Sequence, residues 1–125
     1  MSEAGSRYVL LVDGLDEQRE IYRTILLHAG FKVLEAGDGE TAVDLARTHL
    51  PDVVLLDILL PRLDGFGVIR QMRSDPRTRR IPILLLTATL LPDDDGGGYD
   101  EFLAKPVKPR DALAAVHRHL AVAGR

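Results

Sequence analysis

The chain has 125 residues, a formal net charge of −3 and no cysteine. Hydrophobic residues make up 46% and charged residues 28% of it, which indicates one ordinary globular domain with one core. The absence of cysteine excludes disulfides, thiolate metal sites and a cysteine nucleophile. The basic residues are scattered, which argues against nucleic-acid binding. No apolar run approaches the roughly 20 residues that a membrane span needs, so we expect no membrane association.

Apolar runs and helical patterns alternate along the chain. Runs such as Val9–Val12 and Val53–Leu56 are continuously apolar, as in strands that are buried on both faces of a parallel sheet. In chain order the predicted elements are a strand at Tyr8–Asp13, a helix at Asp16–His28, a strand at Lys32–Ala36, a helix at Asp38–His49, a strand at Val53–Asp57, a helix at Phe66–Arg73, strands at Ile81–Thr87 and Glu101–Lys105, and a final helix that opens at Pro109.

The predicted helices carry apolar stripes and termination signals. In the first helix the stripe contains Ile21, Ile25 and Leu26, and Asp38 is the predicted N-cap of the second helix. Between strands four and five, Pro92 and the glycines at 96–98 disfavour a helix, so we expect a loop with at most one helical turn.

The alternation of strands and helices predicts the fold class. A doubly wound α/β domain with a five-stranded parallel sheet fits the pattern, in the flavodoxin-like order 2-1-3-4-5, with a fourth helix that is short or absent. The domain is expected to span residues 7–121, with residues 1–6 and 122–125 as flexible tails.

Four polar residues close four of the predicted strands: Asp13, Asp57, Thr87 and Lys105. The carboxyl ends of parallel strands meet at one end of a sheet, and functional crevices form there. Two close carboxylates repel each other unless a cation joins them, and Lys105 or a divalent cation would do so. Such a cluster can make Asp57 a nucleophile toward phosphorus.

Four sequence segments carry a family resemblance. Together they are similar to the bacterial two-component response-regulator receiver domain, of the kind that forms a whole single-domain protein, over about Tyr8 to Leu120. The segments run from Leu11 to Arg19 (acidic pocket), from Pro51 to Gly65 (phosphoacceptor strand and loop), from Leu85 to Ala88 (switch hydroxyl) and from Phe102 to Pro106 (strand five, with a cis Lys-Pro bond).

The resemblance implies a phosphoryl-acceptor site. Asp57 would accept a phosphoryl group from a histidine kinase or a phosphotransfer protein, assisted by Lys105. Mg²⁺ would bind to Asp13, Asp57 and the backbone carbonyl of Leu59. The protein would then act as a signalling module in the cytoplasm and not as an enzyme.

The resemblance also implies a switch. Thr87 would bond to the phosphoryl group, and Phe102 stands where the family has a switch aromatic. The change would alter binding to a downstream protein target, and the chain would be a monomer or a weak dimer.

Two departures from the family pattern keep alternatives open. Gly14 stands where the family has a second acid that touches the metal, which predicts weak Mg²⁺ binding. The interval from Thr87 to Lys105 is a few residues shorter than is usual in the family. A pseudo-receiver that signals without phosphate is therefore the main alternative. A hydrolase with an aspartyl nucleophile is disfavoured, because it needs an acid where Leu59 stands.

Overall fold

A computed structural model describes residues 7–88 and 97–123, with side chains up to Leu120. In chain order its elements are β1 (Tyr8–Val12), α1 (Asp16–His28), β2 (Lys32–Ala36), α2 (Gly39–His49), β3 (Val53–Asp57), α3 (Gly65–Ser74), β4 (Ile83–Thr87), β5 (Glu101–Ala104) and α4 (Pro109–Ala123).

The strands form one parallel sheet in the order β2-β1-β3-β4-β5, which confirms the predicted fold class and strand order. Within the described ranges, no helix lies between β4 and β5. Residues 89–96 lie outside those ranges, and so does most of the predicted loop. The prediction that the fourth helix is short or absent therefore concerns residues outside the described ranges.

In the described part of the chain, two helices cover each face of the sheet. Leu10 and Leu56 are fully buried in the cluster under α2 and α3, while Leu11 and Leu55 are fully buried under α1 and α4. Successive residues of a strand point to opposite faces, so a continuously apolar strand supplies both cores. Full burial of each leucine stabilises the fold by roughly 1.5–3 kcal/mol, which makes β1 and β3 a rigid base for the residues that follow them.

The inner face of α1 differs from its prediction at one position. Ile21 was expected to face the core, but it is 54% exposed, and Tyr22 is 6% exposed instead. Tyr22 and Leu26 are one helical repeat apart and form the buried line. The Tyr22 hydroxyl donates a hydrogen bond to the carbonyl of Val107 at 3.2 Å, so an aromatic ring with a polar tip fits this position.

The element ends agree closely with the sequence. Asp38 is the N-cap of α2, as predicted, and its side chain accepts a hydrogen bond from the Thr41 amide at 2.8 Å. This bond, together with the Arg62 guanidinium, lowers the pKa of Asp38 to about 2. Helix α4 continues to Ala123, past the predicted domain limit at residue 121. Among the described residues, none of the helices has the length and apolar character of a membrane span.

Candidate functional site

The polar residues predicted to meet do lie at one end of the sheet, here called the carboxyl end. Asp57 and Thr87 are the last residues of β3 and β4, while Asp13 and Lys105 directly follow β1 and β5. Asp13 is 1%, Asp57 7% and Thr87 1% exposed. Buried polar groups of this kind need partners or a functional reason, since their burial lowers stability.

Lys105 joins the two carboxylates. Its Nζ lies 2.6 Å from Oδ2 of Asp57 and 3.8 Å from Oδ2 of Asp13. The backbone amide of Lys105 donates to the carbonyl of Thr87 at 2.9 Å, which fixes where the side chain starts. The Lys105–Pro106 bond is cis, as the resemblance implied. One ammonium therefore compensates a pair of nearly buried acids.

Asp13 has one satisfied and one unsatisfied oxygen. Its Oδ1 accepts a hydrogen bond from the Leu15 amide at 2.9 Å, whereas Oδ2 is buried without a hydrogen-bond partner. Burial raises the pKa of Asp13, and the Leu15 amide and Lys105 oppose that rise. A buried carboxylate oxygen that faces a second acid is a natural position for a cation.

The loop between β3 and α3 holds the other side of Asp57. Oδ1 of Asp57 accepts a hydrogen bond from the Leu59 amide at 3.1 Å. The Gly65 amide donates to the Ile58 carbonyl at 2.8 Å, and a Cβ at Gly65 would come within 2.7 Å of the Ile58 Cα. The loop can close this tightly only because residue 65 has no side chain. The Leu59 side chain is 70% exposed, so only its backbone faces the site.

The residues present fit a magnesium ion. Mg²⁺ is commonly held by one or two carboxylates and otherwise by water. Asp13 and Asp57 supply the carboxylates, and the Leu59 carbonyl lies 3.8 Å from where a Cβ at Gly14 would stand. Across the two described ranges, no group of three acidic, histidine or cysteine side chains could hold a metal. The protein would therefore contribute few ligands, in line with the weak binding predicted from Gly14.

Thr87 and Phe102 occupy different environments. In the register of the sheet Asp57 pairs with Leu86, so Thr87 lies one residue further toward the carboxyl end. Thr87 is buried beside the acids. Phe102 pairs with Leu85 and is 38% exposed, so its ring is neither fully packed in the core nor free in solvent.

Two residues of α1 complete the site and were missed by the sequence analysis. Oε1 of Gln18 accepts a hydrogen bond from Nζ of Lys105 at 2.8 Å. Nη1 of Arg19 donates to the carbonyl of Asp13 at 2.5 Å, and Nε of Arg19 lies 3.3 Å from Oε1 of Glu35. Both residues lie inside the acidic-pocket segment from Leu11 to Arg19, but polar residues are common in the first turn of any helix, so no role was predicted for them.

Comparison with known proteins matches the chain to one family. The family profile of the response regulator receiver domain matches residues 9–117. The chain belongs to this family. The resemblance inferred from the four segments is thereby confirmed, and the chain is a receiver domain of two-component signalling.

Relatives with this domain differ in length. The receiver domain is 39% identical over 112 residues to a probable transcriptional regulator, ycf27, of Guillardia theta, covering 86% of this chain and 43% of that protein. It is 28% identical over 116 residues to the polar-differentiation response regulator DivK of Brucella anthropi, covering 90% of this chain and 94% of DivK. The chain thus spans less than half of the first of these relatives and nearly all of the second.

Solved structures share the geometry of the receiver domain. The receiver domain of the sensor histidine kinase PA1611 from Pseudomonas aeruginosa has a TM-score of 0.83 and 30% sequence identity, over 92% of this chain and 98% of that one. That structure has a magnesium ion coordinated in its active-site cleft.

Proposed function

We propose that this receiver domain accepts a phosphoryl group on Asp57 from a histidine kinase or a phosphotransfer protein, and that the modification changes its binding to a downstream protein. The observation that carries the proposal is the Asp57 carboxylate, held between Lys105 at 2.6 Å and the Leu59 amide at 3.1 Å. Oδ2 of Asp13, which accepts no hydrogen bond from the described residues, lies 3.8 Å from the same Lys105 Nζ. These contacts support the proposal, because Lys105 supplies a cation beside Asp57 and Asp13 supplies a second carboxylate for a metal ion.

The reaction is a transfer between two side chains. A carboxylate oxygen of Asp57 attacks the phosphorus of a phosphohistidine, the new O–P bond forms, and the P–N bond breaks. The electron pair of that bond stays on the leaving imidazole nitrogen, which takes up a proton. When bound, Mg²⁺ would neutralise charge on the phosphoryl oxygens. Lys105 contributes a second positive charge at a fixed position.

The switch follows from where the phosphoryl group would stand. Thr87 is one residue beyond the partner of Asp57 in the neighbouring strand, and this nearness supports the proposal that its hydroxyl bonds to a phosphoryl oxygen. Drawing Thr87 toward Asp57 would leave space near β5, and the partly exposed Phe102 ring could move into it. Because the chain then changes shape without turning over a metabolite, we place it among signalling modules of the cytoplasm and not among enzymes.

Intact-mass spectrometry tests the proposal. Incubation with acetyl phosphate and Mg²⁺, or with a phosphorylated kinase, is expected to add the mass of one phosphoryl group to the native chain. The Asp57→Asn variant should gain no mass. The Asp52→Asn variant is the matched control and should gain the same mass as the native chain. Asp52 lies at the opposite end of β3, where its carboxylate accepts from the Tyr8 amide at 2.8 Å. An unmodified native chain, or equal labelling of Asp57→Asn, would refute phosphorylation at this site.

Gly14 allows the metal site to be tested separately. A Cβ at this position would meet Pro61 Cδ at 3.6 Å, an ordinary contact, so a side chain fits there. Gly14→Asp is expected to tighten Mg²⁺ binding about tenfold by adding a carboxylate, and Gly14→Asn, of the same size without charge, should not. The affinities can be read from a magnesium titration followed by NMR. Equal affinities in the two variants would show that the missing acid is irrelevant.

A pseudo-receiver is the second candidate, and Gly14 is the observation that favours it. In that case Asp57 and Lys105 form a structural ion pair only. Asp57→Ala would then leave partner binding unchanged, provided that circular dichroism shows an intact fold. Loss of a phosphorylation-dependent complex in the same variant would instead support the first proposal.

A further inference from the structure

The opposite end of the sheet, here called the amino end, carries a concentration of arginine. Between Arg70 and Arg80 the chain has five arginines and one acid, although its net charge is −3. The sequence analysis treated the basic residues as scattered, and this segment corrects that description. In the fold, part of the segment lines an open groove of about 430 Å³, within the size range of small-ligand sites. The residues of this arginine groove are Arg73, Arg79, Arg80, Gly98, Tyr99 and Asp100.

We propose that the arginine groove binds a nucleoside diphosphate or triphosphate. The site lies where β4 and β5 begin, whereas Asp57 stands where β3 ends. The proposal therefore goes beyond phosphoryl acceptance and does not depend on it.

Arg73 builds the floor of the groove. Its guanidinium donates to the carbonyls of Gly98 at 2.6 Å, Arg79 at 2.9 Å and Ile81 at 2.7 Å. It also pairs with Asp100 at 2.8 Å, and Asp100 accepts from the Ile83 amide as well. The acid in the groove is thus neutralised by bonds within the fold. Arg73 positions the groove and has little capacity left for a ligand.

The turn after α3 presents the other two arginines on a rigid base. The hydroxyl of Thr78, which is fully buried, donates to the Met72 carbonyl at 2.7 Å, and the Arg79 amide donates to the Asp75 carbonyl at 2.9 Å. Both Arg79 and Arg80 are exposed. Within the described part of the chain, neither guanidinium has a hydrogen bond or an ion pair. Two positive charges on a fixed backbone are therefore available.

The chemistry of these groups selects the ligand. A guanidinium donates two parallel hydrogen bonds to phosphate oxygens, and two adjacent guanidiniums suit adjacent phosphates. Tyr99 lines the same groove while it packs against the core under α2 and α3, so its ring is held in place. A fixed aromatic ring is a surface on which a nucleobase can stack. Phosphates joined to an aromatic base satisfy both features.

Calorimetry and ¹H–¹⁵N NMR of the full chain without Mg²⁺ test the proposal, with ATP, GTP, pyrophosphate and adenosine as probes. We expect ATP or GTP to bind more tightly than pyrophosphate, and adenosine not to bind. The amides of Arg79, Arg80 and Tyr99 should shift, and those of Asp57 and Leu59 should not. Shifts confined to Asp57 and Leu59 would assign the anion to the acceptor site and overturn the proposal.

Variants separate the contacts. The double change Arg79→Gln and Arg80→Gln should weaken nucleotide binding at least about tenfold. Arg110→Gln removes an exposed arginine from α4 and serves as the matched control, with no expected change. Tyr99→Leu should weaken binding of the nucleotide but not of pyrophosphate. The proposal fails if neither nucleotide binds, if Arg110→Gln weakens binding equally, or if Tyr99→Leu leaves nucleotide binding unchanged.

Discussion

The two ends of the sheet treat charge in opposite ways. At the carboxyl end, Asp13 is buried, its Oδ2 accepts no hydrogen bond from the described residues, and burial raises its pKa. At the amino end, hydrogen bonds from Arg77 lower the pKa of Asp75 to about 2. Arg73 is satisfied there by three carbonyls and a carboxylate. The comparison indicates that the amino end stabilises the fold, while the carboxyl end holds a buried carboxylate at a cost to stability.

Removing the cation from the carboxyl end should have the largest effect. Lys105→Met leaves Asp13 and Asp57 facing each other without compensation, and we expect a loss of about 3 kcal/mol at neutral pH. The loss should shrink as the pH falls, because burial raises the pKa of Asp13 above its ordinary value and its protonation removes one of the two negative charges. Urea unfolding at several pH values measures both effects. Lys108→Met, an exposed lysine nearby, is the control and should change stability by less than about 0.5 kcal/mol. Equal losses would contradict the comparison.

Removing the central arginine of the amino end comes next. Arg73→Leu leaves the carbonyls of Gly98, Arg79 and Ile81 without their donor, and we expect a loss of about 2 kcal/mol. Arg70→Leu is the matched control, since Arg70 lies on the same helix and is exposed. Chemical denaturation of both variants gives the difference. If Arg73→Leu is no less stable than its control, the amino end is not the stabilising one.

Neutralising Asp13 should increase the stability of the fold, in contrast to the two preceding changes. Its pKa is raised in the folded state, so its contribution to stability is present below the unfolded value of 3.8 and is lost as pH rises through the folded pKa. Asp13→Asn keeps an acceptor for the Leu15 amide and removes the charge. We expect a gain of about 1 kcal/mol at neutral pH without Mg²⁺. Added Mg²⁺ should stabilise the native chain but not this variant. A loss of stability in metal-free buffer would count against the interpretation.

We expect the smallest effect on stability from a change at Asp75, whose pKa is lowered in the fold whereas the pKa of Asp13 is raised. Its pKa is lowered to about 2 from 3.8, so its contribution is present above the unfolded value and is lost as pH falls through about 2. Asp75→Asn is expected to flatten the acid limb of the stability curve between about pH 4 and pH 2. Asp44→Asn, at an exposed position in α2, should leave that limb unchanged. Thermal unfolding of both variants across this pH range measures the acid limb of each stability curve. An acid limb that is unchanged in Asp75→Asn would contradict the prediction.

The sequence predicts the carboxyl end better than the amino end, for a physical reason. Apolar runs show where strands end, and the last residues of parallel strands lie at the same end of a sheet. The proximity of Asp13 and Asp57 could therefore be predicted from the sequence. Helix phase is less certain. Ile21 and Tyr22 are adjacent and both apolar enough to face inward, and the Val107 carbonyl that accepts a hydrogen bond from Tyr22 lies far along the chain, where no local pattern reveals it.

The partners that the sequence did not reveal are long side chains with several reachable acceptors. Gln18 and Arg19 have no spacing rule that links them to Lys105 or to the Asp13 carbonyl. Arg73 bonds to carbonyls, which every residue has, so no residue type signals its partners. The arginine groove was missed for the same reason, because it requires the turn after α3 to lie against the residues before β5.

The glycines around the loop between β3 and α3 differ in how readily they can be replaced by other amino acids. A Cβ at Gly39 would come within 1.7 Å of the Leu63 carbonyl oxygen, and one at Gly65 within 2.9 Å of the Asp57 carbonyl oxygen. At Gly14 the nearest atom would be 3.6 Å away. Under selection for folding in a mutagenised library, codons 39 and 65 should therefore remain invariant, while codon 14 accepts many amino acids. The position that we propose to govern metal affinity can thus vary in evolution without disturbing the loop that follows Asp57.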